Sequence, residues 1–137
     1  MKNPKETAQR WLAQAEHSLR VARLLLDNRE WSDTCFQSEQ TAQMALKAFL
    51  YLKGRRSVRI HSVRELALEC AKEDDAFSSF VARGGVLDRY YLASRYPDAV
   101  PAPAVPFETF DDEEASRAFE AAQVIVATVR ARVQADP

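Results

Sequence analysis

Apolar residues recur every three or four positions along most of this chain, and no stretch shows a convincing alternation of period two. That rhythm restricts the fold to helices that each bury one face. In the first segment Ala8, Leu12, Ala15, Leu19, Ala22 and Leu26 step by four and three residues, flanked by Trp11, Ser18 and Leu25. Pro4 suits a first helical turn, where its missing N–H costs nothing, so a helix is predicted over residues 4–28. A second stripe runs through Cys35, Ser38, Ala42, Ala45, Phe49 and Leu52, widened by Phe36, Leu46 and Leu50. Ser32 or Asp33 can cap its start, and Gly54 is the residue type expected just past its end.

Ser62 and Glu65 form a capping-box pattern ahead of Val63, Leu66, Ala67 and Cys70, which predicts a third helix. After a polar turn over residues 72–75, a fourth helix carries Phe77, Phe80, Val81, Leu87, Tyr90 and Tyr91. Gly84 and Gly85 interrupt it. Two glycines cost about 2 kcal/mol against alanine inside a helix, so the pattern predicts a kink or break there, or the close approach of another backbone. Residues 93–110 form a loop with four prolines, Pro97, Pro101, Pro103 and Pro106. Asp111 and Glu114 then cap a last helix that buries Ala115, Phe119, Ala122, Val126, Val129 and Val133. Long amphipathic helices with short joins predict an all-α fold: a five-helix up-and-down antiparallel bundle with a long proline-rich loop before the last helix.

The length of 137 residues fits one domain, and 47% hydrophobic with 28% charged residues is a globular composition. A formal net charge of −1 excludes a global attraction to nucleic acid or membrane. No apolar run is long enough to span a bilayer or to act as a signal core. Cys35 and Cys70 each lie in an apolar stripe and read as buried free thiols, which suits a reducing cytoplasm. Two cysteines and two histidines at these spacings make no metal site, and no cofactor motif is present.

Two regions carry candidate chemistry. Residues 90–98 crowd Tyr90, Tyr91, Arg95, Tyr96 and Asp98 around Pro97, which should end a helix near Tyr96. Tyr91 and Tyr96 could stack on a base, with Arg95 on a phosphate and Asp98 on a ribose hydroxyl or base amine. Alternatively an Arg95–Asp98 contact pins the loop and the tyrosines are core. The loop over residues 53–64 holds Lys53, Arg55, Arg56, Arg59 and Arg64 and no acid, a local field suited to phosphate. It could instead be merely solvated, or pair with the acids of residues 111–114. Gln37 and Gln40 read as partners of each other or of a neighbouring helix, His17 as surface. Trp11, Phe36 and the aromatic end of the fourth helix form a further apolar face, either core or a dimer interface.

The ordered set resembles the HEPN domain family over nearly the whole chain. Its parts are Trp11, Leu12 and Ala15 before Leu19, Ala22 and Leu25; Trp31 before Cys35, Phe36, Gln40, Ala42 and the run Ala45, Leu46, Lys47, Ala48; Gly54 before His61 and Ser62; and Leu87, Asp88 and Tyr91 before Arg95, Tyr96, Pro97, Asp98 and Ala99. The resemblance implies a five-helix bundle, commonly a homodimer, associated with minimal nucleotidyltransferases in toxin–antitoxin-like pairs. Nucleotide binding is implied for the classical members, and metal-independent RNA cleavage for other branches. Many members carry a Gln-Gln-Ala-Ala-Glu run where this chain reads Glu39, Gln40, Thr41, Ala42 and Gln43, so a carboxylate has moved from position 43 to 39. The ribonuclease branch has an Arg four to six residues before a His, a spacing met here by Arg56 and His61 and also by Arg55. With 14 arginines in the chain that spacing arises readily by chance. The expected function is nucleotide or phosphate binding, with no catalytic residue, beside a nucleotidyltransferase partner. A ribonuclease using Arg56 and His61, or an interaction module with no small ligand, is the alternative.

Overall fold

Each helix forms where a stripe and a cap coincide. The computed structural model describes residues 3–137; Met1 and Lys2, the start of the polar N-terminal stretch, lie outside them. Helix α1 spans Pro4–Asp27 and α2 spans Trp31–Leu52, joined through residues 28–30 so that they run antiparallel. Helices α3 (Val63–Glu73), α4 (Val81–Asp88), α5 (Tyr90–Ala93) and α6 (Asp112–Ala135) follow, with short 3-10 turns at Asp75–Phe80, Pro97–Ala99 and Pro106–Glu108. The turn before α4, α4 itself and α5 make up the fourth of the five predicted helices. The described residues contain no strand.

The caps predicted at Ser62 and Asp111 sit where the sequence puts them: Ser62 Oγ accepts from Glu65 N and Asp111 Oδ1 from Glu114 N. Asn3, not singled out in the sequence, caps α1, its Oδ1 accepting from Lys5 N. Gly54 takes φ +91° just past α2, a left-handed conformation that glycine adopts without strain. The start of α2 is a correction. Neither Ser32 nor Asp33 caps it: the helix begins at Trp31, and Ser32 is already buried in its first turn. Arg29, at φ 64°, reverses the chain directly after α1, so helical geometry resumes one residue before the polar pair.

Gly84 and Gly85 do not break their helix; the interruption comes at Arg89. A Cβ on Gly84 would lie 2.8 Å from Arg64 N and 2.9 Å from Arg64 Cα and Val63 C. The glycine is there because the backbone of α3 passes against α4 at that point. Near Gly85 the closest atom to such a Cβ is Arg64 Cδ, 3.7 Å away.

The core gathers Leu46, Phe49 and Leu50 of α2, Leu66 and Cys70 of α3, Phe77 and Phe80, and Ile125, Val126 and Val129 of α6. Phe49 and Phe77 lie 4.2 Å apart between ring centroids, and Phe77 meets Phe80 edge-on at 5.8 Å. Full burial of each such side chain stabilises the fold by about 1.5–3 kcal/mol. Ser18 Oγ and Thr41 Oγ1 share a buried hydrogen bond of 2.6 Å, and Gln37 Nε2 donates to Ser18 at 2.9 Å, tying α1 to α2. Arg130 pairs with Glu16 at 2.7 Å and Arg132 with Asp74 at 2.6 Å, fastening α6 to α1 and to the end of α3. Cys35 and Cys70 are free and buried, and Cys70 Sγ lies 3.5 Å from Leu46 O. Among the described residues no helix is long and apolar enough to cross a membrane, and no cluster of His, Cys, Asp and Glu could hold a metal ion.

Candidate functional site

The two sequence-predicted regions are fixed to one another by Asp88, the last residue of α4. Its carboxylate accepts from Val63 N at 2.6 Å, Arg64 N at 3.2 Å and Ser62 Oγ at 2.6 Å. The first N–H groups of α3 have no partners within their own helix, and a carboxylate there also meets the positive end of the helix dipole. The end of the basic loop is thereby held beside the segment that carries Arg95.

Arg95 sits among three aromatic rings. Its Cζ lies 4.0 Å from the ring centre of Phe36 and 4.8 Å from those of Tyr91 and Tyr96. Nε and Nη2 donate to the Tyr91 carbonyl at 3.0 and 2.8 Å, capping the end of α5, while Nη1 reaches Tyr96 Oη at 3.5 Å. A guanidinium has five N–H donors, so about two remain for an anion. Tyr91 and Tyr96 are 46% and 50% exposed, which leaves ring surface for stacking and removes them from the core. Asp98 is exposed on the 3-10 turn after Pro97 and makes no ion pair with Arg95 among the described contacts. The guanidinium is anchored by the Tyr91 carbonyl and the rings instead.

From Arg95 a polar line runs down α2. Phe36, Gln40, Gln43 and Lys47 step by four, three and four residues, with Glu39 beside them. Glu39 is 1% exposed, and its two carboxylate oxygens accept from the neutral amides of Gln40, at 2.7 Å, and Gln43. Burial pushes its pKa up. The two amide donors, and the field of Arg95, act against that rise, while Asp88 adds to it. Two turns further on, Lys47 is buried and its pKa is lowered by desolvation, with the field of Glu39 opposing. Its Nζ lies 3.5 Å from His61 Nδ1 and 5.8 Å from the ring centre of Trp11. Phe36 to Lys47 is eleven residues of helix, roughly 16 Å.

The basic loop leads into the far end of this line. Arg56 and Arg59 are exposed, Arg59 within 3.4 Å of Ser57 Oγ. Arg55 is neutralised by Glu69 at 3.1 Å, and Lys72 joins the same carboxylate. Lys72, then Arg55, hold the Glu69 carboxyl below its ordinary range. The acids of residues 111–114 are not the loop's partners: Glu113 pairs with Arg117, and Glu114 accepts from Tyr90 Oη at 3.1 Å. His61 is exposed, and the Arg56–His61 pair lies in irregular backbone between α2 and α3.

The structure groups Arg95, Tyr91 and Tyr96 in one place and leaves Arg56 and Arg59 exposed in the loop, while Glu39, Gln43 and Lys47 were not among the candidate site residues read from the sequence. Their signal is present in the chain: polar residues at i, i+4 and i+8 draw one line down an otherwise apolar helix. Phe36, expected on an apolar face, forms the floor beneath Arg95.

Away from these residues, a groove of about 660 Å³ opens between α4 and α6 over Leu87 and Tyr90. None of the predicted site residues lines it. Arg83, Arg89 and Arg117 face Asp111, Glu113, Glu114 and Glu120 there, and four carboxylates against three guanidiniums disfavour a polyanion.

Comparison with known proteins agrees with this architecture. The HEPN domain matches residues 8–132. The toxin-like protein MJ1304 of Methanocaldococcus jannaschii is 25% identical over 130 residues, which is 90% of this chain and 86% of that protein. Human sacsin is 30% identical over 129 residues, but the chain spans only 3% of sacsin's length. Among solved structures, TT1696 from Thermus thermophilus is 35% identical with a TM-score of 0.83, covering 90% of this chain and 96% of that one. ST0689, an archaeal HEPN homologue, is 28% identical with a TM-score of 0.74, covering 97% and 99%. The helical bundle, the matched span and these relatives agree, and the chain belongs to the HEPN domain family.

Proposed function

We propose that the face formed by α2, α5 and the loop before α3 binds a nucleotide, or the phosphates and bases of RNA, without itself doing chemistry. The chain would act as the toxin-like member of a pair whose other half is a nucleotidyltransferase. The observation that carries this reading is Arg95. It is stacked and anchored with three of its five donors engaged among the described contacts, between two tyrosine rings with free surface, beside a polar line that ends at Lys47 and His61. A preorganised guanidinium loses less freedom on meeting phosphate than a solvated one. Arg56 and Arg59 would extend the positive field along a bound phosphate chain, and Asp98 would meet a ribose hydroxyl. A homodimer is part of the same reading, supported by the exposed Leu92 at the edge of this face. A location in the cytoplasm suits two unpaired buried thiols.

The partner is supported by the relationship to a toxin-like protein and by the family resemblance. The test is calorimetry with a panel of nucleotides, with and without a candidate nucleotidyltransferase partner. Affinity that falls in Arg95→Ala supports the reading; no binding to any nucleotide or RNA in either condition overturns it.

A second reading is favoured by one contact. Lys47 engages His61 Nδ1 and leaves Nε2 unengaged, free to move a proton in RNA cleavage while Arg56 stabilises a charged phosphorane. Under the main reading His61→Ala and Arg56→Ala leave any RNA cleavage by the pure protein unchanged. Cleavage abolished by either substitution moves the assignment to a metal-independent ribonuclease.

A further inference from the structure

A buried carboxylate held only by neutral amides needs explaining, because desolvating the charge costs several kcal/mol that amide donors only partly return. Glu39 is such a group. An ionised carboxylate accepts and never donates. Gln40 and Gln43 must both turn their NH2 groups inward to meet it, and their carbonyl oxygens are then turned away. Among the described residues neither of these oxygens accepts a hydrogen bond. Nor is either among the buried atoms left without a partner, where Ser38 Oγ stands alone, so both keep some contact with solvent. Gln40 lies one turn along α2 from Phe36, the ring beneath Arg95.

We propose that Glu39 is a positioning residue that makes this face selective for nucleobases carrying an exocyclic amine. It would do so by fixing the carbonyls of Gln40 and Gln43 as acceptors beside the Arg95 stack. The inference rests on the nucleotide-binding reading and adds the class of base. A base stacked on Tyr91 or Tyr96, with its phosphates toward Arg95, would turn its polar edge toward α2, where Gln40 lies one turn from Phe36 and Gln43 follows it. The amines of adenine, cytosine and guanine donate to carbonyl oxygens such as theirs. Uracil and hypoxanthine place a carbonyl where adenine and cytosine have the amine, and two facing acceptors repel. Discrimination of this kind is strong because the mismatched pair leaves polar groups unpaired at a partly desolvated site.

The test compares ATP with ITP and CTP with UTP, pairs in which an amine becomes a carbonyl with little change in stacking area. The wild-type protein is expected to bind ATP and CTP about tenfold or more tighter than ITP and UTP. In Glu39→Gln the central side chain can donate as well as accept, the neighbouring amides are free to reverse, and each ratio should fall to about twofold or less. Gln40→Met, at a half-buried position, removes one acceptor and should lower the ratios should Glu39→Gln not fold. Wild-type ratios near one, with affinity still dependent on Arg95, overturn this inference and leave nucleotide binding standing. Ratios that persist in the folded Glu39→Gln protein also overturn it. No binding of any of the four nucleotides overturns this inference, and the nucleotide-binding reading falls with it only if guanine nucleotides and RNA also fail to bind, with and without the partner.

Discussion

Ser62 donates through Oγ to Asp88 Oδ2 at 2.6 Å, across 26 positions of sequence. The two residues cap the same helix end together: Ser62 receives Glu65 N, and Asp88 receives Val63 N and Arg64 N. A local cap is thus reinforced by a carboxylate from α4, and the basic loop is tied to the segment leading to Arg95.

Asp88→Ala is expected to lower stability by about 2–3 kcal/mol, more than an ordinary cap deletion, because it strands backbone donors and leaves Ser62 without its acceptor. Chemical denaturation measures it. A loss under about 0.5 kcal/mol would mean that water replaces Asp88 without cost.

The adjacent glycines should respond in opposite directions. Gly84→Ala puts a methyl against backbone atoms at 2.8–2.9 Å, and those atoms cannot swing aside. A loss of about 2 kcal/mol or more is expected despite the better helix propensity of alanine. Gly85→Ala meets only the flexible Arg64 side chain and should gain about 0.5–1 kcal/mol. Thermal melts of the two variants decide it; equal shifts would contradict the close approach of α3 and α4.

Arg95→Ala should reduce nucleotide affinity by about 1.5–3 kcal/mol, the scale of a charge-assisted hydrogen bond. It should also cost about 1 kcal/mol of stability, since the same side chain caps the Tyr91 carbonyl and covers Phe36. Arg95→Lys keeps the charge but loses the planar fork and is expected to recover little of either. Calorimetry and melting on the same variants separate the effects. A large stability loss with unchanged affinity would take Arg95 out of the site.

Glu39 gives a pH dependence of unusual sign for a carboxylate. Its folded-state pKa lies above 4.5 through burial, so the folded protein holds this proton more tightly than the unfolded chain. Its contribution to stability is present below pH 4.5 and is lost as pH rises through the folded value. Relative to Glu39→Gln, the wild-type protein should therefore lose stability on going from about pH 4 toward neutrality. The difference between the two melting curves across that range is the measurement, and a difference growing in the opposite direction would mean that Glu39 has a stronger partner than two amides.

What the sequence revealed and what it hid divide along physical lines. Stripes and caps are local, so the helices, Ser62, Asp111 and Gly54 were legible. Arg95 and its tyrosines were legible because aromatic and charged residues gathered at a helix stop. The role of Gly84 depends on a backbone about 20 positions away and could be posed only as an alternative. Glu39 and Lys47 were hidden because a charged residue within a helix normally faces water. Only the packing of α2 against its neighbours turns theirs inward. Arg55 reads as a free cation until the fold brings Glu69, one helix away, beside it.

The two buried thiols make the unmodified protein its own probe of opening. Burial raises the Cys35 pKa to about 12, and that of Cys70 further, so neither is a ready nucleophile in the closed bundle. A thiol reagent would label Cys70 when α3 lifts away from Leu46 on α2. It would reach Cys35 when the bundle loosens where α2 meets the start of α6. The order and rates of the two modifications would then rank which end of the molecule breathes first, with no residue exchanged.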